Sequence, residues 1–546
     1  MSLIRFLYNR HRGFIALALA LSVASAALGV AVIAAINARL LSLGQTATSD
    51  FLAFAGLIAA MFVVGSAAQL TMATLGHTIV WRLRRTMVKR VLDTGVERLE
   101  AVGLARILAT LNGDINTITL AFASVPSLVY GLALTTGGFV YLAWLSPRLF
   151  AATAAMLALA IGGGALLMSL TRREAARARD LEDALYRHYQ AAVEGRKELA
   201  LNRDRARDVY EREFEPDAAA SRRHEIRTDV YNGLNQNFIN AMLLATIGVV
   251  LFLAAWLGWA AGNIVATFAF TLLFLRTPIA GIIGAIPSLV AGSVALAKVD
   301  ALQLADYREG FDDPAAALPA DWSRLRLRGV AYRYAGGGDE PGFGVGPVDL
   351  DIRRGEVLFV VGGNGSGKTT LMRLLSGLYR PHEGAVCVDE TIVDDTRRPR
   401  LRALFASVFS DFHLFGRALG PDGVAVDDAA ANGWLARLKL THKVKANGGA
   451  LSELRLSQGQ RKRLALLVAW AESRPILLLD EWAADQDPAF REYFYRELLP
   501  ELRAADRTIV AVSHDDRYFH LADRVVKLDG GRIVEDVSHA APRRAG

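Results

Sequence analysis

The chain has 546 residues, of which 52% are hydrophobic and 21% charged. That apolar content excludes intrinsic disorder, and the lone Cys387 excludes a disulfide-stapled secreted domain. The 62 Lys and Arg outnumber the 55 Asp and Glu, a formal charge of +7 that suggests nucleic acid unless a membrane accounts for it.

A bilayer core takes about 20 apolar residues per helix. Residues 14–36 carry no charge and form a first span. Arg5, Arg10 and Arg12 followed by Ala24-Ser25-Ala26 could mimic a signal peptide, but the apolar run exceeds the roughly 7–15 residues of a signal core. Residues 51–75 form the second span, 121–144 the third and 149–170 the fourth. The charge-free stretch 230–275 is long enough for two crossings. Split at the turn from Gly258 to Asn263, it gives a fifth span at 241–260 and a sixth at 264–296. Arg276 is the one charge inside a span, where charges are costly and face a cavity or a partner. It is a candidate for the cargo path, with Asn237 and Asn240 weaker ones, and Pro278 should kink its helix. Gly162, Gly163 and Gly164 suit close helix packing.

Arginines cluster between spans two and three (Arg82 to Arg106) and between four and five (Arg172 to Arg196), whereas the other connectors carry only Arg39 and Arg148. Basic loops stay inside. Both termini and the two long connectors are therefore expected in the cytoplasm, with the connectors continuing as helices beyond the bilayer. This orientation explains the excess of basic residues without nucleic acid.

Near Leu302 the composition shifts. Asp306, Glu309, Asp312, Asp313, Pro314 and Pro319 mark a linker over 301–320, separating a membrane domain (1–300) from a soluble one (321–546). Two domains thus replace the three or four that about 150 residues per domain would suggest. Residues 325–334 alternate as a half-buried strand does, Gly336, Gly337 and Gly338 mark a turn, and 357–361 read as a buried strand.

Next comes Gly362-Gly363-Asn364-Gly365-Ser366-Gly367-Lys368-Thr369, a complete G-x-x-x-x-G-K-[ST] between a strand and a helical pattern. Glycines let backbone N–H groups face a phosphate chain, at a helix start that adds positive potential. Lys368 would meet the β- and γ-phosphates of ATP, Thr369 would ligate Mg²⁺, and Thr370 belongs to the same cradle. A second buried run, Ile476 to Leu479, ends in Asp480-Glu481. Asp480 suits the metal, directly or through water, and Glu481 the attacking water.

Leu456-Ser457-Gln458-Gly459-Gln460 lies between them and resembles the signature motif of an ATP-binding cassette. The resemblance implies that Tyr334 stacks on adenine, that Asp487 is the D-loop aspartate and that His514 senses the γ-phosphate. One position departs: Ser410 stands where cassettes carry a glutamine, with Asp411 beside it as a substitute. The whole chain is similar to half-size type IV exporters of the ABC transporter family: an α-helical six-span domain, then an α/β P-loop cassette. That resemblance implies a homodimer in the lipid bilayer, because each nucleotide is sandwiched between one P-loop and the other copy's signature. Residues 456–467, 480–488 and Ser410 resemble the cyclic-peptide and siderophore branch, which includes pyoverdine-, syringomycin- and microcin-type exporters. The expected function is ATP-driven export of a peptide natural product across the bacterial inner membrane. A multidrug or lipid exporter and an ATP-gated regulator that does not pump are the alternatives.

Overall fold

The computed structural model describes residues 3–36, 38, 48–260, 262–311, 317–319, 321–334 and 342–539. Arg39, the 336–338 turn and the linker residues Asp312, Asp313 and Pro314 lie outside them. The chain divides into two compact units. One comprises Met1–Met87 with Ala105–Gln303, the other Val88–Leu104 with Leu304–Gly546.

Among the described residues, six helices are long and apolar enough to cross a membrane. In chain order the helices are α1 (Leu3–Ala35), α2 (Thr48–Asp93), α3 (Val96–Val102), α4 (Leu104–Ala109), α5 (Ile115–Leu145), α6 (Pro147–Glu194), α7 (Arg196–Leu201), α8 (Arg203–Asp208), α9 (Glu215–Leu257) and α10 (Gly262–Ala301). Helices α2 and α6 extend well past their apolar runs, as the glycine-poor connectors imply. The turn between the fifth and sixth spans falls at Gly258, whose φ of +63° is open to glycine and ends α9. Pro278 and Pro287 both lie inside α10, which continues through them.

Small residues set the packing. A Cβ on Gly163 of α6 would sit 2.5 Å from the Phe238 ring of α9, so only glycine allows that approach. Gly162 has open space around its Cβ position. Farther along the pair, His224 Nδ1 lies 2.7 Å from Glu174 and His188 Nε2 lies 3.0 Å from Asp217. Helices α5 and α10 meet through Gly131, whose Cβ would fall 2.7 Å from Pro278 O, and through Gly292 against Ala121. Only 6% of the apolar window of α2 is buried, so lipid or another copy must cover it.

The second unit carries strands β1 (Arg324–Arg333), β2 (Gly344–Arg353), β3 (Val357–Gly362), β4 (Glu383–Val388), β5 (Thr391–Ile392), β6 (Phe405–Val408), β7 (Ala446–Asn447), β8 (Ala450–Leu451), β9 (Ile476–Asp480), β10 (Thr508–Val512), β11 (Arg524–Asp529) and β12 (Arg532–Ser538). The main sheet runs β12-β11-β3-β10-β9-β6, parallel except for the antiparallel edge strand β12. A second, antiparallel sheet runs β2-β1-β4-β5. Helices α11 (Lys368–Leu375), α12 (Arg398–Arg402), α13 (Asp428–Arg437), α14 (Gln458–Ala471) and α15 (Pro488–Tyr493) pack around the sheets. Central strand β3 is buried on both faces: Val357, Phe359 and Val361 join one core, Leu358 and Val360 the other. This double burial fixes β3, β9 and β10, and their C-terminal ends present the site.

Candidate functional site

Strand β3 delivers the P-loop and α11 begins at its lysine. Gly367 has φ +100°, and a Cβ there would lie 2.6 Å from Val345 Cγ2, so the loop requires glycine at that point. Lys368 is buried, and its Nζ donates to the carbonyls of Gly362 (3.1 Å) and Gly363 (2.9 Å). Ser366 Oγ is buried with no hydrogen-bond partner among the described residues. A glycine-dependent loop at a helix start, a lysine folded onto that loop and an orphan hydroxyl together suit an anion of the size of a phosphate chain.

The acidic pair lies at the end of β9. Thr369 Oγ1 donates to Asp480 Oδ2 at 3.1 Å, and Ser410 Oγ donates to the same oxygen at 3.3 Å. Asp480 Oδ1 is buried and unpartnered among the described residues. Burial pushes the Asp480 carboxyl above the usual range, although its bonds from Thr369 and Ser410 oppose this. Hydroxyl and carboxylate oxygens with one oxygen free form a donor set that fits a hard divalent cation. Serine at the glutamine position therefore reaches the Asp480 carboxylate directly. Asp411 turns elsewhere, 3.5 Å from Arg373.

Glu481 and His514 meet, with Nε2 of the histidine 2.8 Å from Glu481 Oε1. They line a cavity of about 390 Å³ with Ser513, Asp515, Arg491 and Arg517. Glu481 has φ +50°, a left-handed conformation that is costly for a side chain bearing a Cβ. It is held by Lys462, which is buried on α14 and donates from Nζ to Glu481 O at 2.8 Å. The same ammonium lies 2.7 Å from Asp485, and Trp482 Nε1 donates to Lys462 O. In the sequence Lys462 is one of three consecutive basic residues, with Arg461 and Arg463, after the signature. Its spacing on the buried face of α14 was the available signal.

Ser457 starts α14, and its backbone N–H donates to Gln460 Oε1 at 3.3 Å. Gln486 Nε2 donates to Gly459 O, Arg463 Nε donates to Gln486, and Arg463 also pairs with Asp487 at 2.7 Å. Asp487 accepts from Phe490 N–H as the N-cap of α15, which holds its carboxyl below the usual range. Ser457, Gln458, Gly459 and Gln460 are thus joined to the loop holding Asp487. Among the described residues, no hydrogen bond joins those four to the P-loop of the same chain.

Tyr334 follows β1, and its Oη lies 3.0 Å from Thr370 Oγ1. Its ring stands edge-on to Tyr332 at 5.1 Å. Arg276 lies on α10, exposed. It does not line a cavity of about 670 Å³ among α1, α2 and α5 of the first unit.

The comparisons agree with this geometry. Residues 345–484 match the ABC transporter family model, and residues 13–278 match the ABC transporter transmembrane region. The chain is 33% identical to the ATP-binding protein SyrD of Pseudomonas syringae pv. syringae, covering 99% of this chain and 97% of that one. The chain belongs to the ABC transporter family. Other ABC transporter relatives include an ATP-dependent lipid A-core flippase of Thiobacillus denitrificans, 27% identical over 89% of this chain and 85% of its own length. The β-(1→2)glucan export protein NdvA of Rhizobium meliloti is 29% identical over 56% of this chain and 52% of its own. The chain is an ABC exporter with an ATP-binding, ATPase-driven cassette and a multi-pass membrane domain.

Proposed function

We propose that this ABC exporter carries a peptide natural product, either a cyclic peptide or a siderophore or its precursor, across the bacterial inner membrane. The peptide reading rests on residues 456–467 and 480–488, whose variants resemble the cyclic-peptide and siderophore branch. The flippase and glucan relatives align over less of the chain than the ATP-binding protein SyrD does, which weighs against lipid A-core or glucan as the cargo. The arginine-rich connectors favour cytoplasmic termini.

Two copies pair, so that the P-loop of one faces the signature residues of the other. Lys368 leaves the carbonyls of Gly362 and Gly363 for the phosphates, Tyr334 leaves Thr370 to stack on the base, and Ser366 gains a phosphate oxygen. Thr369 and Asp480, steadied by Ser410, would hold Mg²⁺. When bound, the ion neutralises charge on the phosphates. Glu481 accepts the proton of the attacking water, and His514, donating from Nε2, keeps that carboxylate aimed.

Ser22, Ser25, Ser66, Gln69, Thr119 and Tyr130 are among the residues lining the 670 Å³ cavity, whose walls also carry His77 and, among the described residues, no Asp, Glu, Lys or Arg. Such a lining suits uncharged amides and hydroxyls of a peptide backbone. Arg276, Asn237 and Asn240 remain the candidates for a more polar or anionic part of the cargo.

Purified protein in proteoliposomes tests the reading. ATPase stimulation and uphill accumulation are measured with a cyclic lipopeptide, a peptide siderophore, lipid A-core and a cyclic glucan. Peptide-selective stimulation with accumulation is expected. Selective response to lipid A-core or glucan overturns the cargo class, and ATPase activity without accumulation of any of the four points to a regulator.

A further inference from the structure

Helix α3 and the C-terminal residues around it belong to one compact unit. No residue of the helix is fully buried, and Val96, Leu99 and Val102 are half-buried. Two carboxylates one turn apart add polar contacts. Glu97 accepts from Tyr332 Oη at 3.1 Å and from Arg380 N–H at 3.3 Å. Glu100 accepts from Arg373 at 3.2 Å and from Tyr379 Oη. Arg90 and Thr94 anchor the preceding end of α2 to Leu304 and Ala305.

These contacts continue toward the nucleotide site in two directions. Tyr332 and Tyr379 are both buried and pack at 4.9 Å, and Tyr334 stands edge-on to each. Through Tyr334 they reach Thr370 of the P-loop. Burial first, then the facing glutamates, pushes both phenols well above their ordinary range, so they remain donors. In the other direction Arg373, on the last turn of α11, donates to Tyr379 Oη at 2.8 Å, lies over the Tyr379 ring at 5.3 Å and pairs with Asp411 at 3.5 Å. Asp411 is the neighbour of Ser410, which holds Asp480.

We infer that Arg373 is the positioning residue through which nucleotide occupancy is reported to α3, gathering the base side through Tyr379 and the metal side through Asp411 onto Glu100. The inference rests on the ATP-driven exporter reading. Arg373 suits the task because its rigid planar fork fixes the direction of each donor while its flat face lies over the Tyr379 ring, whereas an ammonium is a point charge on a flexible stem. Stacking of Tyr334 on a base frees Thr370 and shifts the pair Tyr332–Tyr379. A change at Ser410 moves Asp411. Both displacements converge on one guanidinium. The segment is continuous in sequence with the membrane-spanning part of α2. Serine in place of the longer glutamine shortens the direct reach from the metal site, and Arg373 extends it.

The full-length chain in nanodiscs, carrying Glu481→Gln so that ATP is bound and not consumed, provides the test. Amide exchange over residues 96–102 is measured with and without Mg·ATP, and ATP affinity is measured in parallel. ATP is expected to change that exchange in the Glu481→Gln parent. Arg373→Gln should bind ATP with the parent affinity while the response at 96–102 falls by about 2- to 30-fold, the span reported for residues that carry coupling without touching a ligand. Glu100→Gln should do the same without altering α11, and Arg373→Lys should fail to restore the response. An undiminished ATP response in Glu100→Gln overturns the relay, as does exchange raised equally with and without ATP, which marks a purely structural contact. Either failure leaves cargo accumulation by the unmutated chain intact, whereas failure of the exporter reading abolishes accumulation and leaves the response at 96–102 unchanged.

Discussion

Replacing Lys462 with Met is expected to cripple hydrolysis while sparing nucleotide binding. The methionine keeps the length and apolar stem of the side chain and removes only the ammonium. Glu481 O then loses its 2.8 Å donor at a buried position. A hydrogen bond from a charged donor is worth about 1.5–3 kcal/mol. The ion pair with Asp485 adds little, because that carboxylate is 43% exposed and rehydrates. What is lost is therefore the restraint on a residue whose left-handed backbone already costs about 1–2 kcal/mol relative to the right-handed form. If the lost restraint appears wholly in the transition state, kcat falls by about 10- to 150-fold. KM for ATP should stay within about twofold, since Lys462 touches no expected nucleotide contact. Steady-state ATPase assays on detergent-purified protein, with a fluorescent ATP analogue to confirm binding, measure both. A kcat near the parent value, or a loss confined to KM, would refute the claim that Lys462 aims the hydrolytic glutamate.

Glu481→Gln should abolish ATP turnover and preserve ATP binding; undiminished turnover removes Glu481 from the catalytic role. For Asp480 the sign follows from burial: its raised pKa in the fold favours the folded state below the unfolded value, and that contribution is lost as pH climbs through the folded value. Asp480→Asn should therefore flatten the fall in Tm of the nucleotide-free protein from about pH 4 upward, and an unchanged slope contradicts the assignment. In the membrane unit, Gly163→Val should cost about 1–3 kcal/mol by overpacking against Phe238 and lower the thermal stability of the purified protein, with Gly162→Val as the tolerated control. Equal tolerance of both substitutions would show that α6 and α9 are not closely packed at that point.

The six spans, the turn at Gly258 and the parallel core strands were legible because each is written in contiguous residues. Hydrophobic runs declare themselves, and the P-loop, Asp480-Glu481 and Ser457 to Gln460 sit where local order dictates local geometry. Lys462 was hidden by distance, since its acceptor lies 19 residues away on another element. Arg373, Glu97 and Glu100 were hidden further: the bonds that give them meaning cross 235 to 283 residues of chain. The composition around Glu97 and Glu100 reads as an ordinary amphiphilic connector. The fate of Ser410 was likewise undecided, because reach depends on how close β6 brings it to β9, and their parallel pairing is what settles it. Buried Asn235, whose Oδ1 lacks a partner among the described residues, shows the same limit in the first unit.

The bonds from Gln486 to Gly459, from Arg463 to Asp487 and from Lys462 to Glu481 make the start of α14 and the loop after β9 a single crank. In the proposed homodimer one end of that crank would serve the nucleotide held by the neighbouring copy, while the other end carries the carboxylate that acts on its own. Neither end can turn alone. Engagement of one nucleotide then sets the timing of hydrolysis at the other, and the two sites should keep a common beat, visible as a Hill coefficient above one in the ATP dependence of turnover.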